Sequence, residues 1–442
     1  MRGTAAMPAH TRMPPSVLWI CLACMTADGY DVVSYGAVLP MMLADSDWGL
    51  TVPQAGLLGS LTPVGMLVGA MVVGLLTDIV GRRRLVVASV TIFSLAMVLC
   101  AIAPGVIPFG IGRVLVGFGV GGVVPSIAAL VFEYSSPHKR NVHTGLVFAG
   151  IGVGGAAAAL VGATLVPAFG FRMEFVVGGL AALVIVPLAV AFLPESLAHL
   201  RAAGREAEAR RWAARLGIAP EAGPASQSTG AAVAGRFVAL FTGGRALMTV
   251  LFWMIAFASL LVLFGIFTWL PHLMRSTGYE LGSALMFLMV LNMGAAVGPL
   301  LVGRVADRVG SKAAIAGSFL LAVVGIAVLS YRLPTPLLYA AVVVAGIGTV
   351  GAQTLVNVFI ASRYPVQIRA TAIGAALSVG RLGAIIGPLY GSLLLSAELG
   401  LQVLFAAFAA PALIGAVLVI LMPTRRMATD RMAVATPPAS SG

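Results

Sequence analysis

Along most of the chain, polar residues are confined to short breaks between apolar runs. Twelve runs can be marked, at roughly 17–43, 54–76, 84–103, 106–132, 142–168, 173–193, 247–271, 283–303, 313–331, 335–361, 370–396 and 400–422. Each holds the ~20 residues that a helix needs to cross a bilayer core. One break is long. Between Pro194 and Arg245 the apolar pattern stops: "RAAGREAEARRWAARLG" (Arg201 to Gly217) suits a helix that mixes charge with Leu and Ala, and "EAGPASQSTGAAVAGR" reads as flexible linker. The expected architecture is an all-α membrane protein with twelve transmembrane helices in two six-helix bundles, at 17–193 and 247–422. A cytoplasmic 1–16 tail precedes them, a 194–246 linker with an amphipathic helix joins them, and a disordered 423–442 tail follows. The linker helix most simply ties the halves together, with a lipid-contacting or regulatory role as the alternative. The first run is expected to stay in the protein, because it lacks the short apolar core and small-residue cleavage site of a signal peptide.

Composition agrees with this pattern. The 442 residues are 60% hydrophobic and 10% charged, with mean hydropathy +1.04, whereas soluble domains carry about 25% charged residues. That deficit excludes a water-facing surface of ordinary shape. The formal net charge of +12 would suit a nucleic-acid partner, so its distribution decides. With both termini on one side, that side holds 22 of the 27 Lys and Arg residues. The opposite loops hold Arg172, Arg275 and Arg332, while Arg113 and Arg381 fall inside runs. An excess of basic residues marks the cytoplasmic side, so basicity records topology, and no nucleic-acid partner is expected.

Other chemistry is thin. Cys21, Cys24 and Cys100 lie in apolar runs; the Cys-x-x-Cys spelling lacks the βαβ context of a redox motif, which leaves small packing residues. No triad spelling, clustered metal-ligand set or Walker motif occurs, so no enzyme, metal, cofactor or ATP is expected. "GFGVGG" (Gly117 to Gly122) and "GIGVGG" (Gly150 to Gly155) follow no strand, which removes a nucleotide-binding reading. They place small residues where helices pack closely or slide.

The two halves read as copies. "GLLTDIVGRRR" begins at Gly74 and "GRVADRVGSKA" at Gly303, an offset of 229. The same offset carries Gly117, Gly119 and Gly122 onto Gly346, Gly348 and Gly351, and Arg140 and Gly145 onto Arg369 and Gly374. With six spans per half, the second copy enters from the same side as the first, a parallel repeat about an axis along the membrane normal. Two such halves can rock and open a central cavity to either side in turn.

Four ionisable residues stand out against this background. Inside a span each costs about 2.5–3.5 kcal/mol even on insertion scales, and persists where it meets a cavity or a partner. Asp28 and Asp31, three apart in "DGYD" of the first span, share a helix face. Arg113 lies in the fourth span and Arg381 near the middle of the eleventh. A guanidinium binds carboxylate in a two-pronged fork, which makes Arg381 the first candidate for holding an anionic substrate; a packing pair within the second half is the alternative. A proton carrier needs a carboxylate whose proton affinity follows its surroundings, since desolvation raises that affinity and a nearby arginine lowers it. Asp28, Asp31 and Arg113 are therefore candidate coupling residues. The alternative is a static salt bridge between spans 1 and 4, and Arg113 serves equally well as a structural brace. The energy is expected from ion gradients, where one charge crossing 100 mV yields about 2.3 kcal/mol.

The Gly-x-Leu-x-Asp-x-x-Gly-Arg pattern from Gly74 to Arg82, its echo at Gly303, "RVLVGFGVGG" from Arg113 and "LPESLAHL" after the sixth span resemble motifs of the major facilitator superfamily. "DGYD" and "YPVQIRATAIGAALSVGRLGAIIGPL" are similar to the first- and eleventh-helix signatures of its aromatic acid:proton symporter family. The resemblance covers roughly residues 15–425. It implies proton-driven import of an aromatic carboxylate of hydroxybenzoate, protocatechuate, gallate or benzoate type. It further implies a monomer in a bacterial inner membrane with both termini cytoplasmic.

The same resemblance assigns a gating loop, bracing the outward-facing state, to Gly74, Asp78, Gly81 and Arg82. Glu133, at the end of span 4, can pair with Arg82 to Arg84 or Lys139, and Asp307 closes the matching helix of the second half. Solvated helix ends are the alternative for both. For an aromatic carboxylate, Asp31, Tyr35, Asn292, Gln353 and Asn357 join Arg381 as candidate binding residues. The amides serve equally as interhelical contacts worth about 0.6 kcal/mol each, and Tyr35 equally as core. Three other readings stay open: a symporter of another small organic acid, a proton-coupled efflux antiporter, and a membrane sensor that binds the acid without moving it.

Overall fold

A computed structural model describes residues 13–45, 47–136, 139–216 and 235–423. Among them, twelve helices are long and apolar enough to cross a membrane. The first half contains α1 (Pro15–Ala44), α2 (Val52–Val80), α3 (Arg82–Ile102), α4 (Val106–Tyr134), α5 (Arg140–Thr164) and α6 (Arg172–Phe192). The second contains α7 (Ala246–Ser276), α8 (Leu281–Val309), α9 (Ser311–Val328), α10 (Thr335–Arg363), α11 (Val366–Ser396) and α12 (Leu401–Leu421). The chain is an all-α, multi-pass membrane protein.

The linker departs from expectation. In place of one helix over Arg201 to Gly217, two short helices form, Leu197–Ala202 and Glu206–Leu216. Gly204, with φ 71°, breaks them apart, a conformation that glycine adopts without steric cost. Leu200, Ala209 and Ala213 turn inward and are buried, so the amphipathic face packs on the protein. The rest of the linker, 217–234, and the tails at 1–12 and 424–442 lie outside the described residues.

The sequence repeat reappears as atomic contacts. A Cβ on Gly65 of α2 would stand 2.9 Å from the carbonyl carbon of Val114 on α4. A Cβ on Gly294 of α8 would stand 3.1 Å from that of Val343 on α10, the same pair moved by the offset. Gly117 against Thr62 recurs as Gly346 against Leu291, and Gly122 against Val73 as Gly351 against Val302. In lipid no hydrophobic force drives helices together, so small residues that admit close backbone approach set the pairing. Gly81 and Gly310 end α2 and α8 with φ 94° and 88°, the left-handed cap that favours glycine.

The halves meet along α1 with α7, α2 with α11 and α5 with α8. These contacts gather toward the face remote from the linker. Gly36 abuts the Phe267 carbonyl, Gly56 abuts Ser392, and Gly162 lies against Leu285. The Ser60 hydroxyl donates to the Ile385 carbonyl oxygen at 2.5 Å. About five turns further along the same helix faces, Gly74, Gly145, Gly303 and Gly374 have open space where a side chain would stand. The cleft is therefore closed at the far face and opens on the face that carries the linker.

Candidate functional site

Glycines also set how α1 is rotated. Gly29 lies against the Ile151 backbone of α5, and Gly154 against Thr26. With the backbones locked this closely, Asp28 and Asp31 turn into the protein. Asp31 is 0% and Arg113 2% exposed, and Arg113 Nη1 donates to Asp31 Oδ1 at 2.6 Å. The guanidinium stands 5.2 Å from the centre of the Tyr35 ring, whose hydroxyl donates to the Ala55 carbonyl oxygen at 2.7 Å. The Thr62 hydroxyl donates to the Arg113 carbonyl oxygen at 3.2 Å. Asp31 Oδ2 and Arg113 Nε have no hydrogen-bond partner, so the fork is only half used. Such a pair adds little net stability while complete, yet removing one partner costs about 3–5 kcal/mol.

Asp28 is one turn earlier on α1. It is 5% exposed, and its Oδ1 has no hydrogen-bond partner. The charges that act on it are those of Asp31 and, from the other half, Arg381 on α11. Arg381 is half-buried, and its Nη1 donates to the Met66 carbonyl oxygen of α2 at 3.2 Å. Asp28 and Arg381 do not close to an ion pair. The structure thus places Asp28, Asp31, Arg113 and Tyr35 together between α1 and α4, with Arg381 of α11 held on α2 across the division between halves.

No hydrogen bond among the described residues links the amides to this group. Asn292 is 2% exposed, its Nδ2 donates to the Leu288 carbonyl oxygen of its own helix at 2.9 Å, and its side chain packs on Gly155 of α5. Its hydrogen bond therefore stays within α8, and its contact across helices is packing alone. Gln353, on α10, has a buried Oε1 with no hydrogen-bond partner, and Asn357 lies half-buried one turn further on.

At the linker face, Arg82 Nη1 pairs with Glu133 Oε2 at 2.6 Å, one of the pairings open to Glu133. The Ser196 hydroxyl donates to the same oxygen at 2.8 Å. Glu195 Oε1 accepts from the backbone N–H groups of Arg83 and Ser196, each at 3.0 Å, and Tyr134 donates to the Glu195 carbonyl oxygen at 2.7 Å. These bonds tie the α2–α3 turn to the ends of α4 and α6. A side chain at Gly81 would stand 2.6 Å from Glu195 Oε2, so glycine is required there for space as well as for φ. Gly74 faces open space. Asp307 is exposed and joins no ion pair among the described residues; the Asp78 side chain lies outside them.

One carboxyl escaped the reading of the sequence. Glu174, at the start of α6, is 0% exposed, and both of its carboxyl oxygens lack a hydrogen-bond partner. Beside Arg172 at the edge of an apolar run, it reads as interfacial; only its burial distinguishes it.

Two parallel six-helix copies around a cleft open on one face, with buried charges between them, define a secondary transporter. The chain belongs to the major facilitator superfamily, whose family model matches residues 20–380 and 283–438. Its relatives bear out the resemblance to the aromatic acid:proton symporter family. It is 33% identical over 410 residues to the benzoate transport protein of Acinetobacter baylyi, covering 90% of this chain and 87% of that protein. It is 32% identical over 393 residues to the gentisate transporter of Corynebacterium glutamicum, covering 88% and 83%. The gallate transporter of Pseudomonas putida is 32% identical over 426 residues, covering 91% and 90%. Among solved structures, a D-xylose-proton symporter superposes with TM-score 0.72 at 15% identity, covering 92% of this chain and 97% of that one. A bacterial Spinster homologue in an inward-facing conformation does so with TM-score 0.66 at 18% identity, covering 91% and 94%. These two share the fold. The superfamily and the named relatives are membrane transporters, not enzymes.

Proposed function

We propose that the protein imports an aromatic carboxylate together with protons across a bacterial inner membrane, as a monomer with both termini in the cytoplasm. The benzoate, gentisate and gallate transporters among the relatives support the substrate class, and the basic residues on the linker face support the orientation. One arrangement carries the mechanism: the charges of Asp28 in the first half and Arg381 in the second act on each other without closing into an ion pair.

Arg381 uses one donor on Met66 and offers its others to a substrate carboxylate, in the two-pronged geometry that guanidinium favours. Once that carboxylate is bound, Arg381 no longer compensates Asp28. A buried carboxylate without a partner is disfavoured in its charged form, so a proton enters with the substrate. Asp31 is already compensated by Arg113 in this state, which directs the proton to Asp28. Tyr35 backs the site from the core, its ring against Arg113, and Gln353 with Asn357 offers hydrogen bonds to ring hydroxyls. In the other half of the cycle the linker face closes, with the turn of Asp78, Gly81 and Arg82, anchored by Glu133, as the brace. Asp307 is the matching position of the second half.

The test is uptake in proteoliposomes under an inward proton gradient, with labelled benzoate, 4-hydroxybenzoate, protocatechuate and gallate. At least one accumulates; none accumulating overturns the reading. Asp28→Asn abolishes gradient-driven accumulation but keeps counterflow exchange, and that exchange loses its dependence on pH.

A further inference from the structure

We propose that Glu174 is a second proton-binding site of the transport cycle, opened to the far face when α5 and α8 part at Gly162. The inference rests on the proton-coupled reading above and adds a site remote from Asp28 and Arg381. Glu174 is fully buried, and neither carboxyl oxygen has a hydrogen-bond partner. Its neighbour Arg172 turns elsewhere: Nη1 donates to the Ala101 carbonyl oxygen at 3.1 Å, and the guanidinium lies over the Trp48 and Phe171 rings at 5.8 and 5.6 Å. From α1, Tyr30 lies close to the carboxyl, but its single hydroxyl hydrogen goes to the Glu174 carbonyl oxygen at 2.9 Å, which leaves the carboxyl oxygens without a donor. The neighbouring stretch of α5 brings Gly162, and that of α3 brings the Ala101 carbonyl to Arg172. No Lys or Arg forms an ion pair with Glu174 among the described residues. An isolated ionised carboxylate in such a place is strongly disfavoured, whereas a neutral acid needs far less compensation.

Access follows from what lies on the other side. A Cβ at Gly162 would stand 3.7 Å from Glu174 Oε2 and 3.4 Å from Leu285 Cδ1 of α8. Gly162 therefore separates the carboxyl from the seam between halves with no side chain of its own, and Leu285 seals that seam while the far face is closed. When α5 and α8 part, water reaches Glu174 past Gly162. The site exchanges its proton with the far face in one state and is shut off in the other.

The experiment compares wild type and Glu174→Gln in proteoliposomes, measuring substrate counterflow and the proton:substrate ratio from reversal potentials. Because the site loads and unloads on the far face alone, the variant is expected to keep counterflow and the proton:substrate ratio, while counterflow loses part of its dependence on far-face pH. A pH profile unchanged from wild type, or a ratio that falls, would overturn the proposal. Isotope-edited infrared spectra of the whole wild-type protein, with labelled glutamate, supply a test that does not depend on the variant folding. A protonated glutamic acid signal is expected near neutral pH, and its absence would refute the site. Wild-type liposomes that move no aromatic acid would count against the transport reading alone, and the infrared signal would then decide whether Glu174 binds a proton.

Discussion

Gly36→Ala tests the alternation most directly. In this state the far face is closed, and a methyl group at position 36 of α1 lands on the Phe267 carbonyl oxygen of α7. The carbonyl carbon would be 3.1 Å and Thr268 Cα 3.2 Å away, where ordinary contacts run 3.4–4 Å. All three atoms are backbone, so nothing yields except the separation of the two helices. Overpacking of this kind costs about 1–3 kcal/mol. Because α1 and α7 press together here only while the far face is closed, that cost falls on one state and not on the other. The population ratio should move by roughly 5–150-fold toward the outward-open form. Gly154→Ala is the control. Its methyl meets Tyr30 N at 2.7 Å and the Thr26 carbonyl carbon at 2.8 Å, but inside the first half, where the contact is the same in both states. It should lower the unfolding temperature without biasing the cycle. Spin labels at Phe169 and Leu399, exposed far-face positions in opposite halves, report the opening by pulsed electron spin resonance. Gly36→Ala should populate longer distances and Gly154→Ala should not. Identical distance distributions for Gly36→Ala and wild type would refute the assignment of this seam as a gate.

Three further outcomes follow from the site. Asp31→Asn and Arg113→Leu should each destabilise by about 3–5 kcal/mol, whereas the double variant should unfold closer to wild type; additive losses in thermal unfolding would show that the pair does not interact. Arg381→Lys keeps the charge but loses the planar fork, and should weaken carboxylate binding by about 1.5–3 kcal/mol, roughly ten- to hundredfold in Kd. Unchanged calorimetric affinity for benzoate-type acids would remove Arg381 from the site. Glu133→Ala frees Arg82 at the half-exposed linker face, where an ion pair is worth about 1 kcal/mol or less; the expected readout is a changed ratio of the two states by the same spin labels, with little change in unfolding temperature.

Much of the molecule could be read along one dimension. A bilayer imposes its thickness on every span, so the twelve apolar runs fall where the helices form. A parallel repeat leaves its offset in the sequence because matching glycines do matching work, as Gly65 and Gly294 show. Asp28, Asp31, Arg113 and Arg381 are conspicuous because charge inside a span is costly. Pairing was not legible. Asp31 rather than Asp28 takes Arg113, because the rotation of α1 is set by backbone contacts at Gly29 and Gly154 with α5. Asn292 turned to its own helix for the same kind of reason, pressed against Gly155. Glu174 gave no signal until its neighbours were in place.

The amino-acid order alone thus determined the spans, the repeat and the presence of charges to be neutralised, since each depends on transfer of a residue from water to lipid. Which charge meets which, and on which face the cleft opens, was decided only by how the helices pack, since those outcomes depend on distances between residues far apart in the chain.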